Sequence, residues 1–321
     1  MHSRTDTALY PETEPWFQRW LPVGDGHALY VEQSGNPDGQ PVLVLHGGPG
    51  GGCSPHMRRY FDPAHWRIIL FDQRGAGRSR PMGGLQANTT EHLLADMALI
   101  RRELGIERWM LFGGSWGSTL ALLYAQRYPE QVSALVLRGV FLCRPADMDW
   151  LYRDGASRIY PEAWASFVGG VPAAEAGDLV AAYYRRLCDD SDPATQQALA
   201  VRWAGWEGAC ATLLPSPAVM AGFHARALAL ARIEAHYFAH QGFMPDGGVL
   251  AGMPALAQVP GIIVHGRYDM VCPVDQALLL QQHWPAARLE IVPDAGHSAS
   301  EPSLERALVA ATGALAFEVG A

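Results

Sequence analysis

The chain has 321 residues, of which 49% are hydrophobic and 17% are charged, and its formal net charge is −8. This composition is typical of a globular protein with one large domain or one domain carrying an insertion. An acidic chain without a basic patch does not favour nucleic-acid binding. No apolar run approaches the ~18–20 residues that cross a bilayer, so we expect no membrane segment. The first 24 residues lack a basic segment followed by an apolar core, so no secretory signal is predicted.

The cysteine and histidine patterns predict no metal site and no disulfide framework. The five cysteines are odd in number and scattered, without a C-x-x-C pair. Free thiols are typical of a reducing compartment, so we expect a cytoplasmic protein. His236 and His240 have i, i+4 spacing but lack the H-E-x-x-H pattern, so packed or solvated side chains are the better interpretation.

Strands alternate with helices along the first 140 residues. An Asp-Gly turn predicts a hairpin between residues 20–23 and 28–33. Continuous apolar runs predict buried strands at 41–45, 67–71, 109–112 and 132–138. Helices are predicted from Asn88, as an N-cap with Glu91 at N3, to Gly105, and over residues 118–127. This alternation indicates an α/β fold with a largely parallel sheet.

The pattern changes near residue 144. From there to about residue 247 the chain is helical in character, rich in aromatics and interrupted by prolines. We interpret this part as a helical cap inserted into the α/β core. The predicted division is therefore a first core part at 1–143, the cap at 144–247, and a second core part at 248–321. The second core part contains predicted strands at 261–265 and 289–292 and predicted helices at 273–284 and 301–317.

The stretch Gly113–Gly117 reads G-x-S-x-G between a predicted strand and a predicted helix. This is the nucleophile-elbow pattern of α/β-hydrolases, in which small neighbours permit a tight turn. The serine hydroxyl then stands at the positive end of a helix. The motif by itself is weak evidence, because glycine and serine are common. Ser115 is the candidate nucleophile.

An acid and a base follow at the positions that a nucleophilic serine needs. Serine requires a base that takes its proton and a third group that orients the base. Sites in open α/β sheets form past the carboxyl ends of strands. Asp269 follows one late predicted strand and His297 follows the next, which gives the chain order Ser, Asp, His of α/β-hydrolases. We predict the triad Ser115, Asp269 and His297, with Asp294 and Asp275 as rival acids.

Acyl transfer also needs N–H donors for the developing oxyanion. The backbone N–H of Trp116, directly after the nucleophile, is one candidate. The second is expected from the glycine-rich loop 46–52, where Gly48 is favoured and Gly47 is the alternative. His46 in this loop is expected to be structural. The loop has neither the P-loop nor the dinucleotide-binding pattern, so nucleotide binding is not predicted.

Four motifs together resemble the proline iminopeptidase family. They are HGGPGGG at 46–52, DQRG at 72–75, GGSWGS at 113–118 and HGRYD at 265–269. The resemblance covers nearly the whole chain, and the cap adds the W-x-x-W-E pattern at 203–207. It implies an α/β-hydrolase-fold serine peptidase that releases N-terminal proline from peptides. It also implies peptide substrates as partners and no metal or organic cofactor.

The resemblance further implies substrate-binding residues. Glu207 and Glu234 would bind the charged imino nitrogen of the N-terminal proline. A secondary ammonium has two N–H donors, and two carboxylates can accept both while cancelling the charge. Phe141 and Trp116 would pack on the proline ring, with Cys272 near the same pocket.

Two other functions remain open at this point. The first is a small-molecule esterase or amidase of the same fold, which would use the triad without the cap acids. The second is a non-catalytic binding protein on this scaffold, which would not need a reactive serine. The sequence does not distinguish between oligomeric states.

Overall fold

Eight strands form a single sheet in the computed structural model, which describes residues 8–188 and 192–318. The strands are β1 Phe17–Gly24, β2 His27–Gly35, β3 Gln40–Leu45, β4 Trp66–Phe71, β5 Trp109–Gly114, β6 Val132–Arg138, β7 Gly261–Gly266 and β8 Ala287–Val292. Their spatial order is β1-β2-β4-β3-β5-β6-β7-β8. Only β1–β2 and β2–β4 pair antiparallel, and the other neighbours are parallel. The α/β fold with a largely parallel sheet is therefore confirmed. The carboxyl ends of β3 and β5–β8 share one edge.

Helices flank the sheet and fill the long connection between β6 and β7. They are α1 Thr90–Glu103, α2 Trp116–Arg127, α3 Pro145–Tyr152, α4 Pro161–Val168, α5 Leu179–Cys188, α6 Pro193–Cys210, α7 Pro217–Ala225, α8 Ala227–Ala239, α9 Gly248–Ala251, α10 Asp275–Gln282 and α11 Pro302–Glu318. Short 3-10 helices occur at Pro55–Tyr60, Pro129–Gln131, Ala156–Arg158, Ala173–Glu175, Gln241–Phe243 and Met253–Leu256. Within the described residues, none of the helices combines the length and apolar character needed to span a membrane.

The core lies on both faces of the sheet, because alternate side chains of each strand point to opposite sides. Leu43 and Leu45 of β3 belong to the cluster that includes side chains of α1, α2 and α10. Val42 and Val44 belong to the cluster under α11 and the 3-10 helix Pro55–Tyr60. Burial on both faces explains why these strands are continuously apolar in sequence.

The described part of the chain between β6 and β7 is helical. Its last helix, α9, lies against the core, where Gln126 Nε2 of α2 donates to the Val249 carbonyl at 2.8 Å. Helices α3, α6, α7 and α8 contribute residues to a cavity over the carboxyl edge of the sheet. The division into core and cap at residues 144 and 247 stays a prediction.

The predicted N-cap of α1 is wrong. The helix begins after Thr89, and the buried Asn88 has a tertiary role instead. Asn88 Nδ2 donates to the carbonyls of Arg74 and Gly84 at 3.0 and 2.8 Å, and Oδ1 accepts from Tyr237 at 2.9 Å. Residues distant in sequence thus bind the Asn88 side chain, which the local sequence predicts as the N-cap of α1.

Asp72 and Arg74, in the loop after β4, do not pair with each other. Arg74 forms two hydrogen bonds to Asp96 of α1, at 2.7 and 2.8 Å. Asp72 accepts from Arg78 Nε at 2.8 Å. Each charge therefore has a closer partner elsewhere in the fold, and the loop is tied to α1.

Candidate active site

Ser115 occupies a strained turn between β5 and α2. Its φ of 58° and ψ of −126° are unfavourable for a residue with a side chain. Glycines make the turn possible. A Cβ on Gly113 would stand 2.2 Å from the Gly117 carbonyl, and one on Gly117 would stand 2.1 Å from the Leu45 carbonyl. The Ser115 N–H donates to the Arg138 carbonyl at 2.9 Å, which fixes the turn against β6.

The structure brings His297 and Asp269 together at the same edge. His297 Nδ1 and Asp269 Oδ2 are 2.7 Å apart, and both side chains are buried. The backbone N–H groups of Val271 and Cys272 donate to Asp269 Oδ1 at 3.0 and 2.7 Å. Burial raises the pKa of Asp269, but His297 and these hydrogen bonds outweigh burial and leave that pKa below its ordinary value. Asp269 is therefore an ionised group that orients the imidazole.

The rival acids lie elsewhere. Asp294 accepts from Ser303 at 2.8 Å, and Asp275 is 3.4 Å from Arg144. Neither makes a hydrogen bond to His297 within the described residues. The geometry favours Asp269, while the catalytic role of the triad stays a prediction.

Arg138, the last residue of β6, lies against the imidazole. Its Nη1 is 3.1 Å from His297 Nε2 and 2.9 Å from the His297 carbonyl. Within the described residues, no hydrogen bond joins Ser115 Oγ to His297. His297 Nε2 instead has the Arg138 guanidinium as its hydrogen-bond partner. Burial lowers the pKa of His297, Asp269 opposes the shift, and Arg138 adds to the lowering, so that pKa lies below its ordinary value and the neutral imidazole is favoured. Sequence reasoning missed Arg138, although a single charge ending an apolar strand marks the carboxyl edge.

The candidate oxyanion donors are the backbone N–H groups of Trp116 and of Gly47 or Gly48. Trp116 is the first residue of α2, so its N–H has no acceptor within the helix. Gly47 lies directly against the nucleophile, because a Cβ there would be 3.1 Å from Ser115 Cβ. Gly48 has a φ of +111°, a conformation that favours glycine. Among residues 8–188 and 192–318, no backbone acceptor takes the N–H of Gly47 or Gly48. Both glycines therefore remain candidates for the second donor.

Two carboxyl groups face the same cavity from the helical segment. Glu207 of α6 and Glu234 of α8 are buried, and they line a cavity of about 450 Å³ that also contains Ser115 and His297. Tyr152 donates its hydroxyl proton to Glu207, and Trp203 Nε1 donates to Glu234 at 2.6 Å.

Burial shifts the titration of both acids. It raises the pKa of Glu207 to about 7. Burial and the neighbouring Glu207 charge raise the pKa of Glu234 well above its ordinary value. Two adjacent buried carboxylates are unfavourable without a cation between them, so the pair retains a proton near neutral pH. The arrangement suits a small cationic ligand group.

Aromatic side chains form the wall next to these acids. Phe141 is 6.0 Å from Phe238, and Phe238 is 5.7 Å from Tyr152, measured between ring centroids. Phe141 and Cys272 line the cavity, as the resemblance implies. The predicted packing of Trp116 on a bound ring is wrong: its indole is fully buried behind the serine and is not part of the cavity lining. Tyr152 and Phe238 also line the cavity, and sequence reasoning left both unassigned.

Comparison with known proteins identifies the family of this chain. Residues 40–303 match the family described as alpha/beta hydrolase fold. A proline iminopeptidase from Xylella fastidiosa is 52% identical over 307 residues, covering 95% of this chain and 98% of that protein. A proline iminopeptidase from Arabidopsis thaliana is 49% identical, covering 94% of this chain and 80% of that protein. The chain belongs to the proline iminopeptidase family.

Solved structures support the fold alone, because their identities are low. A proline iminopeptidase from Mycobacterium smegmatis superposes with a TM-score of 0.61 at 22% identity, covering 94% of this chain and 98% of that one. An esterase from Exiguobacterium antarcticum has the same TM-score and identity, with 92% and 97% covered. The fold is therefore common to a proline iminopeptidase and an esterase, and it does not by itself distinguish the two activities.

Proposed function

We propose that this protein is a serine aminopeptidase that releases N-terminal proline from peptides. The observation that carries the proposal is the pair of buried acids, Glu207 and Glu234, in the cavity that contains Ser115. A buried charge needs a partner of opposite sign. An imino cation offers two N–H donors and one positive charge, which this pair can bind completely. Phe141, Tyr152 and Phe238 supply an apolar wall for the proline ring.

The proposed reaction begins with attack of Ser115 Oγ on the carbonyl carbon of the N-terminal proline. His297 Nε2 accepts the serine proton, which requires Arg138 to release that nitrogen. Asp269 holds the imidazole in the productive tautomer and stabilises its charged form. The N–H of Trp116 and that of Gly47 or Gly48 stabilise the oxyanion. Apo serine–histidine contacts are often long and tighten only when substrate binds.

The second half of the reaction reverses these roles. The tetrahedral intermediate expels the peptide amine, which takes its proton from His297 and leaves a prolyl ester on Ser115. Water then attacks the ester while His297 accepts the water proton. Collapse of the second intermediate frees Ser115 and releases proline. Binding of the terminal imino cation by Glu207 and Glu234 would restrict cleavage to one N-terminal residue at a time.

Comparison of amide and ester substrates tests the proposal. We expect a prolyl arylamide to be cleaved with a far higher kcat/KM than arylamides of primary amino acids or an aryl acetate. Preference for the aryl acetate would favour a small-molecule esterase. Failure of a fluorophosphonate to label Ser115 in the folded protein would favour a non-catalytic binding protein. We also propose a cytoplasmic location, which the scattered cysteine pattern supports.

A further inference from the structure

Three buried side chains behind the nucleophile form one hydrogen-bonded chain. Trp116 Nε1 donates to Gln73 Oε1 at 3.1 Å, and Gln73 Nε2 donates to the His46 carbonyl at 2.9 Å. The backbone N–H of Gln73 donates to His46 Nε2 at 3.0 Å. His46 Nδ1 is 2.9 Å from the Gly47 carbonyl. This series of hydrogen bonds therefore joins the loop after β4 to both the glycine-rich loop and the start of α2.

The partners fix the direction of each hydrogen bond. A backbone N–H can only donate, so His46 Nε2 is an acceptor and carries no proton. His46 Nδ1 then carries the proton and donates to the Gly47 carbonyl. Burial lowers the pKa of His46, which agrees with a neutral ring. Since the carbonyl of His46 can only accept, the Gln73 amide is also assigned in one orientation.

These bonds hold the peptide planes of the candidate oxyanion donors. The His46 carbonyl shares a planar peptide unit with the N–H of Gly47, and Gln73 binds that carbonyl. The Gly47 carbonyl shares the next unit with the N–H of Gly48. His46 Nδ1 and the Gly51 N–H, at 3.0 Å, both bind that carbonyl. Whichever glycine is the oxyanion donor, these hydrogen bonds set the direction of its backbone N–H.

We propose that Gln73 is a positioning residue that fixes the separation and direction of the two oxyanion-donating segments. Its Nε2 holds the glycine-rich loop, and its Oε1 holds the side chain of Trp116, the residue that supplies the other N–H. Catalytic groups must be held within about 0.5 Å of the productive geometry, and supporting hydrogen bonds provide this precision. The proposal rests on the proposed acyl transfer but does not depend on proline as the substrate.

Gln73 does not line the cavity, so a change there leaves the substrate-binding surface in place. Gln73→Met keeps a similar length and removes both side-chain hydrogen bonds. We expect kcat for a prolyl arylamide to fall by about 10–100-fold, less than the 10²–10³ lost with a complete oxyanion donor. We expect KM to change by less than about twofold, because Gln73 acts on the transition state.

The matched control is Gln126→Met, which removes the hydrogen bond from α2 to the Val249 carbonyl. This variant also removes a glutamine hydrogen bond, but it leaves the glycine-rich loop and the loop after β4 unchanged. We expect Gln126→Met to keep its kcat, even where its Tm falls as far as that of Gln73→Met. Trp116→Phe removes the bond to Gln73 Oε1 but leaves the bond from Gln73 Nε2 to the His46 carbonyl, so it should lose less kcat than Gln73→Met and serves if the latter does not fold.

Two further readouts separate positioning from general destabilisation. Prolinal forms a hemiacetal whose oxygen enters the oxyanion site, whereas prolinol binds without one. Gln73→Met should weaken prolinal inhibition by about the factor lost in kcat and leave prolinol inhibition unchanged. Fluorophosphonate labelling of Ser115 also uses the oxyanion donors and needs no proline, so its second-order rate should fall similarly.

The labelling rate keeps this proposal distinct from the peptidase assignment. If the wild-type protein is labelled but does not cleave prolyl arylamides, the peptidase assignment fails while the Gln73 comparison still stands. Unchanged kcat and labelling rate in Gln73→Met would overturn the positioning role. An equal loss of prolinal and prolinol affinity, or an equal loss of activity in Gln126→Met, would also overturn it. A wild-type protein that is not labelled would overturn both proposals.

Discussion

Replacement of the two buried cavity acids by glutamine separates charge from shape at the proposed imino-binding site. Glutamine keeps the size of glutamate and one acceptor oxygen, but it carries no charge. Hydrogen bonds to charged groups contribute about 1.5–3 kcal/mol, and neutral ones about 0.5–1.5 kcal/mol. Glu207→Gln or Glu234→Gln alone should therefore cost about 1–2 kcal/mol, which is roughly a 5–30-fold loss of kcat/KM for a prolyl arylamide.

The double variant should lose far more than either single variant. The Glu207 charge contributes to the raised pKa of Glu234, so Glu207→Gln lets Glu234 ionise at lower pH. Each single variant thus retains one full negative charge for the imino cation. The double variant leaves that cation buried without a counter-ion, and loss of a buried charged partner costs about 2–5 kcal/mol. We expect roughly a 30–5,000-fold loss of kcat/KM for the double variant.

The assay compares a prolyl arylamide with an aryl acetate at pH 8, above the pKa of about 7 for Glu207. The acetate has no amino group, so its hydrolysis should change by less than about twofold. Glu175→Gln is the matched control, because this helical-segment acid pairs with Arg185 and Arg186 at the surface. Equal losses on both substrates, or a double variant as active as the wild type, would refute the imino-binding role.

Three further outcomes follow from the titrating groups and the triad. Asp269→Asn should lower kcat by about 10⁴-fold at pH 7 with little change in KM, because asparagine favours the wrong tautomer of His297; a loss below tenfold would count against this triad. Arg138→Met removes a cation that lowers the pKa of His297, so the acid limb of the kcat–pH profile should move to higher pH, and an unmoved limb would contradict that electrostatic role. The pKa of Glu207 is higher in the folded protein than the ordinary 4.5, so its contribution to stability is complete below pH 4.5 and is lost as pH rises through about 7. Thermal unfolding should therefore show a higher Tm at pH 8 for Glu207→Gln than for wild type, and a lower Tm would contradict the raised pKa.

The placement of Ser115, Asp269 and His297 at one edge of the sheet could be predicted from sequence, because each belongs to a local pattern with a fixed place in the fold. The glycines around Ser115 permit only a tight strand-to-helix turn, and Asp269 and His297 each follow an apolar strand. Parallel pairing of β5 to β8 brings the ends of these strands to one edge. Sequence order and strand direction were sufficient, without knowledge of any side-chain contact.

Contacts between distant segments could not be predicted in this way. The Arg138 guanidinium reaches His297 across 159 positions of the chain, and no local pattern encodes that meeting. Asparagine is a residue type that favours N-caps, but the Asn88 side chain instead accepts a hydrogen bond from Tyr237, 149 positions away. The resemblance implied that Trp116 packs on the proline ring, yet its indole turns into the core toward Gln73. Helix direction at the elbow, rather than sequence proximity, decides which aromatic groups face the cavity.

The two parts of the site have opposite effects on the stability of the folded protein. The sheet edge holds ions that have partners, since Asp269 receives two backbone N–H groups as well as His297. The helical segment holds Glu207 and Glu234 close together, where burial disfavours their charged forms. A protein that used only the sheet edge for ester hydrolysis would be more stable with neutral side chains at both positions. The proposed ligand brings the positive charge that this pair needs, because the N-terminal imino group of a peptide is a cation.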